Sequence, residues 1–368
     1  MTQSSGSSTV SMKGGGYYSL HTRGAKDVID NTGELALQAL AAVDVSGGQG
    51  AFQIADFGAA DGGTSVDLIR RLIASVRERA AEREVLVTYT DLPGNDYSSL
   101  FRMLAGEREE VSSYLGEFSG VFVAASGTSF YLPILPSGSL DFGFSATAMH
   151  WLSRLPGGIT DHVHAVGAVG DELEAFRSQA LADWGLILAN RARELRPGAR
   201  MVMSNFCIDG HGRYLGNTGG VNMFDTFNVL WRAMVDDGSI TQAEYDATAF
   251  PQFYKTLQEY CAPLTDAASP VHRAGLRLVS AETRVLPCPY AARFAEAGDV
   301  DAFAVSYVPT LRSWSETVFF TGLDDARPVE ERRALVERFY QSYIDLVRAD
   351  PTGHAMDYVH IYMVAEKV

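Results

Sequence analysis

The chain has 368 residues, 46% hydrophobic and 20% charged, a globular balance that can bury a large core. A formal net charge of −15 without any extended basic run argues against nucleic acid as a partner, because such binders present a basic face. Three dispersed cysteines without a C-x-x-C pair fit a reducing compartment. No run of 18 apolar residues offers a membrane span, and Met1–Ser11 lacks the apolar core of a secretion signal. A soluble cytoplasmic protein with no membrane partner is expected.

Met1–Ser11 is low in complexity and expected to be disordered, and the glycine-rich Met12–Gly24 reads as a flap. Helical spacing over Gly33–Ala42 leads through Ser46-Gly-Gly-Gln-Gly50 to the stretch Phe52-Gln-Ile-Ala-Asp-Phe-Gly-Ala-Ala-Asp-Gly-Gly-Thr64. There an apolar strand ends in an acid and a glycine-rich turn before the helical pattern Ser65–Arg83. Gly58, Gly62 and Gly63 permit positive φ and close approach of a ligand, and helix-start N–H groups favour an anion. The spacing is neither G-x-G-x-x-G nor a P-loop, so a nucleoside-type ligand and an ordinary strand-to-helix turn both stay open.

Glu84–Thr90 is a second strand, broken by Asp91-Leu-Pro-Gly-Asn-Asp96 before helical Ser98–Leu104. Gly120–Ser126 and Leu140–Ser145 are the third and fourth strands. The long helix Asp171–Leu195 leads through an Arg196–Arg200 turn to a fifth strand, Met201–Phe206. This alternation predicts an α/β fold with a doubly wound, mostly parallel sheet. Asn222–Val235, Thr241–Ala249 and Glu316–Phe320 are helical or irregular and rich in aromatics, and are expected to cap the carboxyl edge of that sheet. Gly275–Leu286 and Tyr358–Ala365 alternate like a closing pair of strands. The expected division is a tail and flap at 1–33, a core at 34–208, 266–289 and 326–368, and a cap at 209–265 and 290–325.

Loops at the ends of the first four strands carry Asp56 and Gly58, then Asp91 and Leu92, then Ser129 and Phe130, then His150 and Trp151. One crevice could collect them all, with an acid at the end of the second strand placed for ribose hydroxyls. Taken alone, Asp91 equally fits a turn or helix cap, and Phe130 a core ring. Asp161-His-Val-His164 resembles a metal pair, but two loop histidines beside an acid are more often solvated, and no metal is expected. No G-x-S-x-G elbow is present.

Several of these segments together resemble the SABATH family of S-adenosylmethionine-dependent methyltransferases. They are Met12-Lys-Gly-Gly-Gly, Ile54–Gly62, Asp91-Leu-Pro-Gly-Asn-Asp-Tyr-Ser-Ser-Leu-Phe101, Ser129-Phe-Tyr131, His150-Trp-Leu-Ser153 and Arg196–Met201, with weaker echoes at Trp231, Phe250–Tyr254 and Tyr358. The resemblance runs over nearly the whole chain. It implies a class I methyltransferase (Rossmann-like) fold with a seven-stranded sheet, S-adenosyl-L-methionine as cofactor, S-adenosyl-L-homocysteine as product, and commonly a homodimer. On this basis Asp56, Gly58 and Ala60 would face the methionine part of the cofactor, Asp91 the ribose, and Leu92, Ser129 and Phe130 the adenine. Tyr18 and Ser145 complete the expected cofactor set. Trp151 would donate its indole N–H to a substrate carboxylate beside His150, the alternative being a buried ring bonded to a backbone carbonyl. The expected substrate set is His21, Thr147, Trp151, Trp231 and Tyr307.

The chain also departs from the pattern. The family's flap glutamine aligns with Ala25, so that donor to the carboxylate is lost and His21 becomes its candidate replacement. Thr147 stands where many plant members have tyrosine, and Ala60-Asp61 where they have Ser-Ser. The expected reaction is methyl esterification of a small hydrophobic or aromatic acid. The alternatives are transfer to a ring nitrogen or hydroxyl with histidine as base, and a non-catalytic binder.

Overall fold

A computed structural model describes residues 23–47, 50–107 and 113–368. Its strands are β1 (Phe52–Phe57), β2 (Val85–Asp91), β3 (Val121–Gly127), β4 (Leu140–Ala146), β5 (Leu195–Ile208), β6 (Lys255–Thr256), β7 (Leu276–Leu286) and β8 (Tyr358–Lys367). Seven of them form the path β3-β2-β1-β4-β5-β8-β7, and the two-residue β6 pairs with β5 off that path. Pairing is parallel from β3 through β5, while β8 runs antiparallel to both β5 and β7. The chain turns outward to β2 on one side of β1 and to β4 on the other, so their carboxyl ends splay apart into a crevice.

The central strands are nearly continuous apolar runs because helices cover both faces. On one face Leu68, Ile69, Leu72 and Val76 of helix Val66–Arg79 pack with Phe52, Ile54, Val85 and Val87. On the other, Trp184, Ile187 and Leu188 of helix Gly170–Glu194 pack with Met201, Met203 and Tyr260. Above the carboxyl edge lies an aromatic cluster built from helices Met223–Asp236, Val300–Gly322 and Val329–Ala349, joined by Phe250 and Tyr254. Phe319 and Phe339 approach to 4.2 Å between ring centroids, and Phe227 stacks parallel to Phe250.

Three elements differ from the sequence expectation. The first helix is Arg23–Ala41 and begins before Gly33. Arg196–Arg200 falls inside β5, where it forms a bulge: the register jumps from Leu140–Leu195 to Phe142–Arg200, Gly198 takes φ 80°, and Arg200 also pairs with Glu366. Helix Val300–Gly322 far exceeds the expected Glu316–Phe320; it is buried around much of its circumference and contains Pro309, so no polar face marks its length.

Candidate active site

A cavity of about 550 Å³ opens where β1, β2, β3 and β4 end. Asp56, Gly58, Ala60, Asp91, Leu92, Ser129, Phe130, Thr147 and Trp151 all line it. Its first wall is the turn after β1. Gly58 has φ 81°, and a Cβ there would come within 2.4 Å of the Ala148 Cβ, so glycine alone lets these two loops close up. Ala60 also adopts positive φ, at 50°. The strain is offset by two hydrogen bonds: its N–H donates to Asp91 Oδ2 at 2.7 Å, and its carbonyl accepts from Asn95 Nδ2 at 2.6 Å.

Asp91 accepts the Leu92 N–H through Oδ1 at 2.7 Å. Each carboxylate oxygen thus takes one backbone donor and keeps a lone pair for a ligand. Asp56, 2% exposed, accepts the Ser65 hydroxyl at 2.6 Å. Burial pushes its carboxyl up to about 7; the Ser65 bond opposes this and the charge of Asp91 adds to it. Burial raises Asp91 as well, against its two backbone donors. No Lys, Arg or His stands among the described lining residues. One buried and one half-buried carboxyl group with no cation among the described lining residues favour a positively charged ligand at this wall of the cavity.

Trp151, also on the cavity wall, is held through its backbone. Its carbonyl accepts the Tyr131 hydroxyl at 2.6 Å, it bridges to Gln252, and the neighbouring Leu152 N–H donates to Pro251 O at 2.7 Å. Ser153 is fixed to Asp183 by two bonds of 2.8 and 2.7 Å. Trp151 lines the cavity, and its indole nitrogen makes no hydrogen bond to a backbone carbonyl or any other group among the described residues.

Other expected site residues lie elsewhere. His150 is buried beneath Trp151, with ring centroids 5.7 Å apart, and burial with neighbouring cationic groups pushes its imidazole well below the ordinary histidine range. Ser145 is buried at the end of β4 and donates to Phe57 O at 2.8 Å. Trp231 and Tyr307 are fully buried in the aromatic cap, away from the cavity wall, and the Trp231 indole donates to Thr248 Oγ1 at 3.1 Å. The spacing of Phe224, Phe227 and Trp231 down one helix already fits a core stripe. Tyr18 and His21 lie outside the described residues, and Ala25 falls in the first helix. His162 and His164 are not solvated: His162 Nδ1 lies 2.8 Å from the carbonyl of His164, whose ring stacks on Phe224 at 3.8 Å.

Sequence reasoning missed the hydroxyls of Ser65, Tyr131 and Ser153, which donate to Asp56, to the Trp151 carbonyl and to Asp183 respectively. It also missed an ion pair behind the loop that carries Ser129 and Phe130. Arg191 and Glu194, both fully buried, pair through bonds of 2.7 and 2.8 Å. Arg191 donates onward to Phe130 O and Leu132 O, and Glu194 accepts from the N–H groups of Ile134 and Leu135. Four backbone groups of the loop carrying Phe130 therefore close on this pair, whose guanidinium also sits 4.5 Å above the Phe57 ring. The i,i+3 spacing on a helix was its only signal.

Comparison with known proteins agrees with this architecture. A solved loganic acid methyltransferase with SAH superposes with a TM-score of 0.75 at 20% identity, covering 97% of this chain and 98% of that one; the class I methyltransferase fold is thereby shared. The benzoic acid/salicylic acid carboxyl methyltransferase 2 of Petunia hybrida is 27% identical over 213 residues, 54% of this chain and 58% of that protein. Indole-3-acetate O-methyltransferase 1 of Arabidopsis thaliana is 28% identical over 230 residues, 57% and 59% of the two chains. These matches span about three fifths of the relatives' length. A family model described as SAM dependent carboxyl methyltransferase matches residues 7–267, and the chain belongs to that family, the SABATH methyltransferases.

Proposed function

We propose that this protein forms the methyl ester of a small hydrophobic or aromatic carboxylic acid. The observation that carries the reading is one cavity lined both by the carboxyl groups of Asp56 and Asp91 and by Trp151, whose indole N–H has no partner among the described residues. The residues fit the cofactor: Asp91 keeps acceptor capacity for ribose hydroxyls, Gly58 permits close approach, and Asp56 suits a cationic methionine end. S-adenosylmethionine, when bound, supplies an electrophilic methyl group on a sulfonium, open to in-line displacement by a carboxylate oxygen. A carboxylate is ionised at neutral pH, so no base is required. Of the two histidines that could act as base for transfer to a nitrogen or hydroxyl, burial holds His150 well below the ordinary histidine range, which makes it a weak base, and His21 lies outside the described residues. Leu92 and Phe130 flank the adenine, and Trp151 aims the acid.

The test is incubation with methyl-labelled S-adenosylmethionine and a panel of aromatic and aliphatic acids. Label is expected in an organic-soluble ester; tight binding of S-adenosylhomocysteine with no ester from any acid defeats the proposal.

Asp56 gives a second prediction. Its pKa, raised to about 7 by burial, means that without a cation beside it this carboxyl is partly protonated at neutral pH. A cation beside it favours the carboxylate, so binding expels that proton and weakens as pH falls. Affinity for S-adenosylhomocysteine, which retains the cationic amino group, is expected to be flat above about pH 8 and to fall towards tenfold per unit below about pH 7. Calorimetric titration across that range measures it. Asp56→Asn should bind more weakly and lose the slope; an unchanged slope in that variant assigns the proton elsewhere.

A further inference from the structure

Just beyond Ser153 the chain leaves the body of the protein, with Arg154, Leu155, Gly157 and Gly158 all exposed. Such a segment frays unless its backbone is tied down, and fraying here would reach Trp151 within two residues. The tie is Asp183, on helix Gly170–Glu194. Its Oδ2 accepts the Ser153 N–H at 2.8 Å, and its Oδ1 accepts the Ser153 hydroxyl at 2.7 Å. Gln179, one turn earlier on the same helix, donates to Asp183 Oδ1 at 2.9 Å and to Ser153 Oγ at 3.1 Å, closing a triangle of side chains. The helix is itself fixed at this point, because the adjoining Trp184 is fully buried and its indole donates to Tyr260 O at 2.9 Å. A carboxylate only 5% exposed is costly unless its charge is answered. Here three donors answer it, together with the buried Lys255, on which the charges of Asp183 and Glu259 both act. Neither Asp183 nor Lys255 lines the cavity, so neither meets the reacting groups. What the arrangement accomplishes is to refer the Trp151 segment to the packed helix layer.

We infer that Asp183 is a positioning residue for the methyl transfer: through Ser153 it fixes the direction of the Trp151 indole, without touching cofactor or acid. The inference rests on the methyl-ester reading and adds to it the residue that sets the aim. The test is a double-mutant cycle, with ester formation from the best-used acid followed at saturating cofactor. Asp183→Asn keeps the shape but offers one acceptor oxygen where two are used. It is expected to lower kcat about tenfold while changing the Kd of S-adenosylhomocysteine less than about twofold. In the Trp151→Phe background, where no indole N–H is left to aim, the same substitution should cost less than about twofold. Ser153→Ala removes the hydroxyl and leaves the helix side chains in place. It repeats the cycle with a milder step, about threefold against none, and carries the test alone should Asp183→Asn fail to fold. An unchanged kcat in the single variants, an equal loss in both backgrounds, or a cofactor affinity that falls in step with kcat overturns the inference and leaves the methyl-ester reading intact. Ester from no acid at all, with S-adenosylhomocysteine still bound, overturns both.

Discussion

Arg191→Ala is expected to destabilise the protein by about 3–5 kcal/mol, the usual cost of removing one member of a buried ion pair. The substitution leaves Glu194 charged in a fully buried place and strips the Phe130 and Leu132 carbonyls of their donor. It also empties the space over the Phe57 ring, at the end of β1. A shift of the urea midpoint at constant slope measures the loss. The double variant Arg191→Met/Glu194→Leu then separates two causes. If uncompensated charge were the whole cost, an apolar pair would restore stability or exceed it. Because the pair also satisfies four backbone groups of the loop Phe130–Leu135, the double variant should stay well below wild type and bind S-adenosylhomocysteine more weakly. Full recovery of both quantities would show that the pair does not brace that loop.

The contrast between this brace and the loop it holds shows what could be read from the chain alone. Asp56, Gly58, Asp91, Ser129 and Phe130 were legible because each follows a short strand with local punctuation, and parallel α/β sheets gather such loops at one edge. The pair Arg191–Glu194 reaches back some sixty residues to the loop it satisfies, and Thr147 meets His360 across more than two hundred. No local pattern announces either contact. The cap failed differently. Composition marked it as aromatic, but a pocket ring and a core ring have the same letter. Trp231 and Tyr307 turned out to be wholly buried among Phe319, Phe339 and Tyr343, where large apolar surface stabilises the cap. Trp151 differs from them because its motif sits at a strand end, where backbone bonds from Tyr131 and to Pro251 hold it on the cavity wall.

Trp151→Phe is expected to lower kcat by between about tenfold and a hundredfold, with the affinity for S-adenosylhomocysteine and the urea midpoint nearly unchanged. Phenylalanine keeps an aromatic ring on the wall and removes the N–H. The size of the effect cannot come from stabilising developing charge, because charge disappears as a carboxylate and a sulfonium neutralise one another. A donor to the carboxylate therefore favours the reactants more than the transition state. Its benefit must lie in direction: an oxygen held on line with the methyl reacts far faster than one free to rotate, and displacements of about 1 Å can cost a hundredfold. The fixed backbone at Tyr131, Pro251 and Gln252 is what makes such aiming possible. Two features set orientation apart from a packing defect. At saturating cofactor, kcat should remain flat with pH through the histidine range, since His150 and His360 stay neutral there. Cofactor affinity should hold, since the hydrogen bonds that fix Asp56 and Asp91 involve no atom of Trp151. Parallel losses in turnover and cofactor affinity would instead make Trp151 a structural support of the cavity wall.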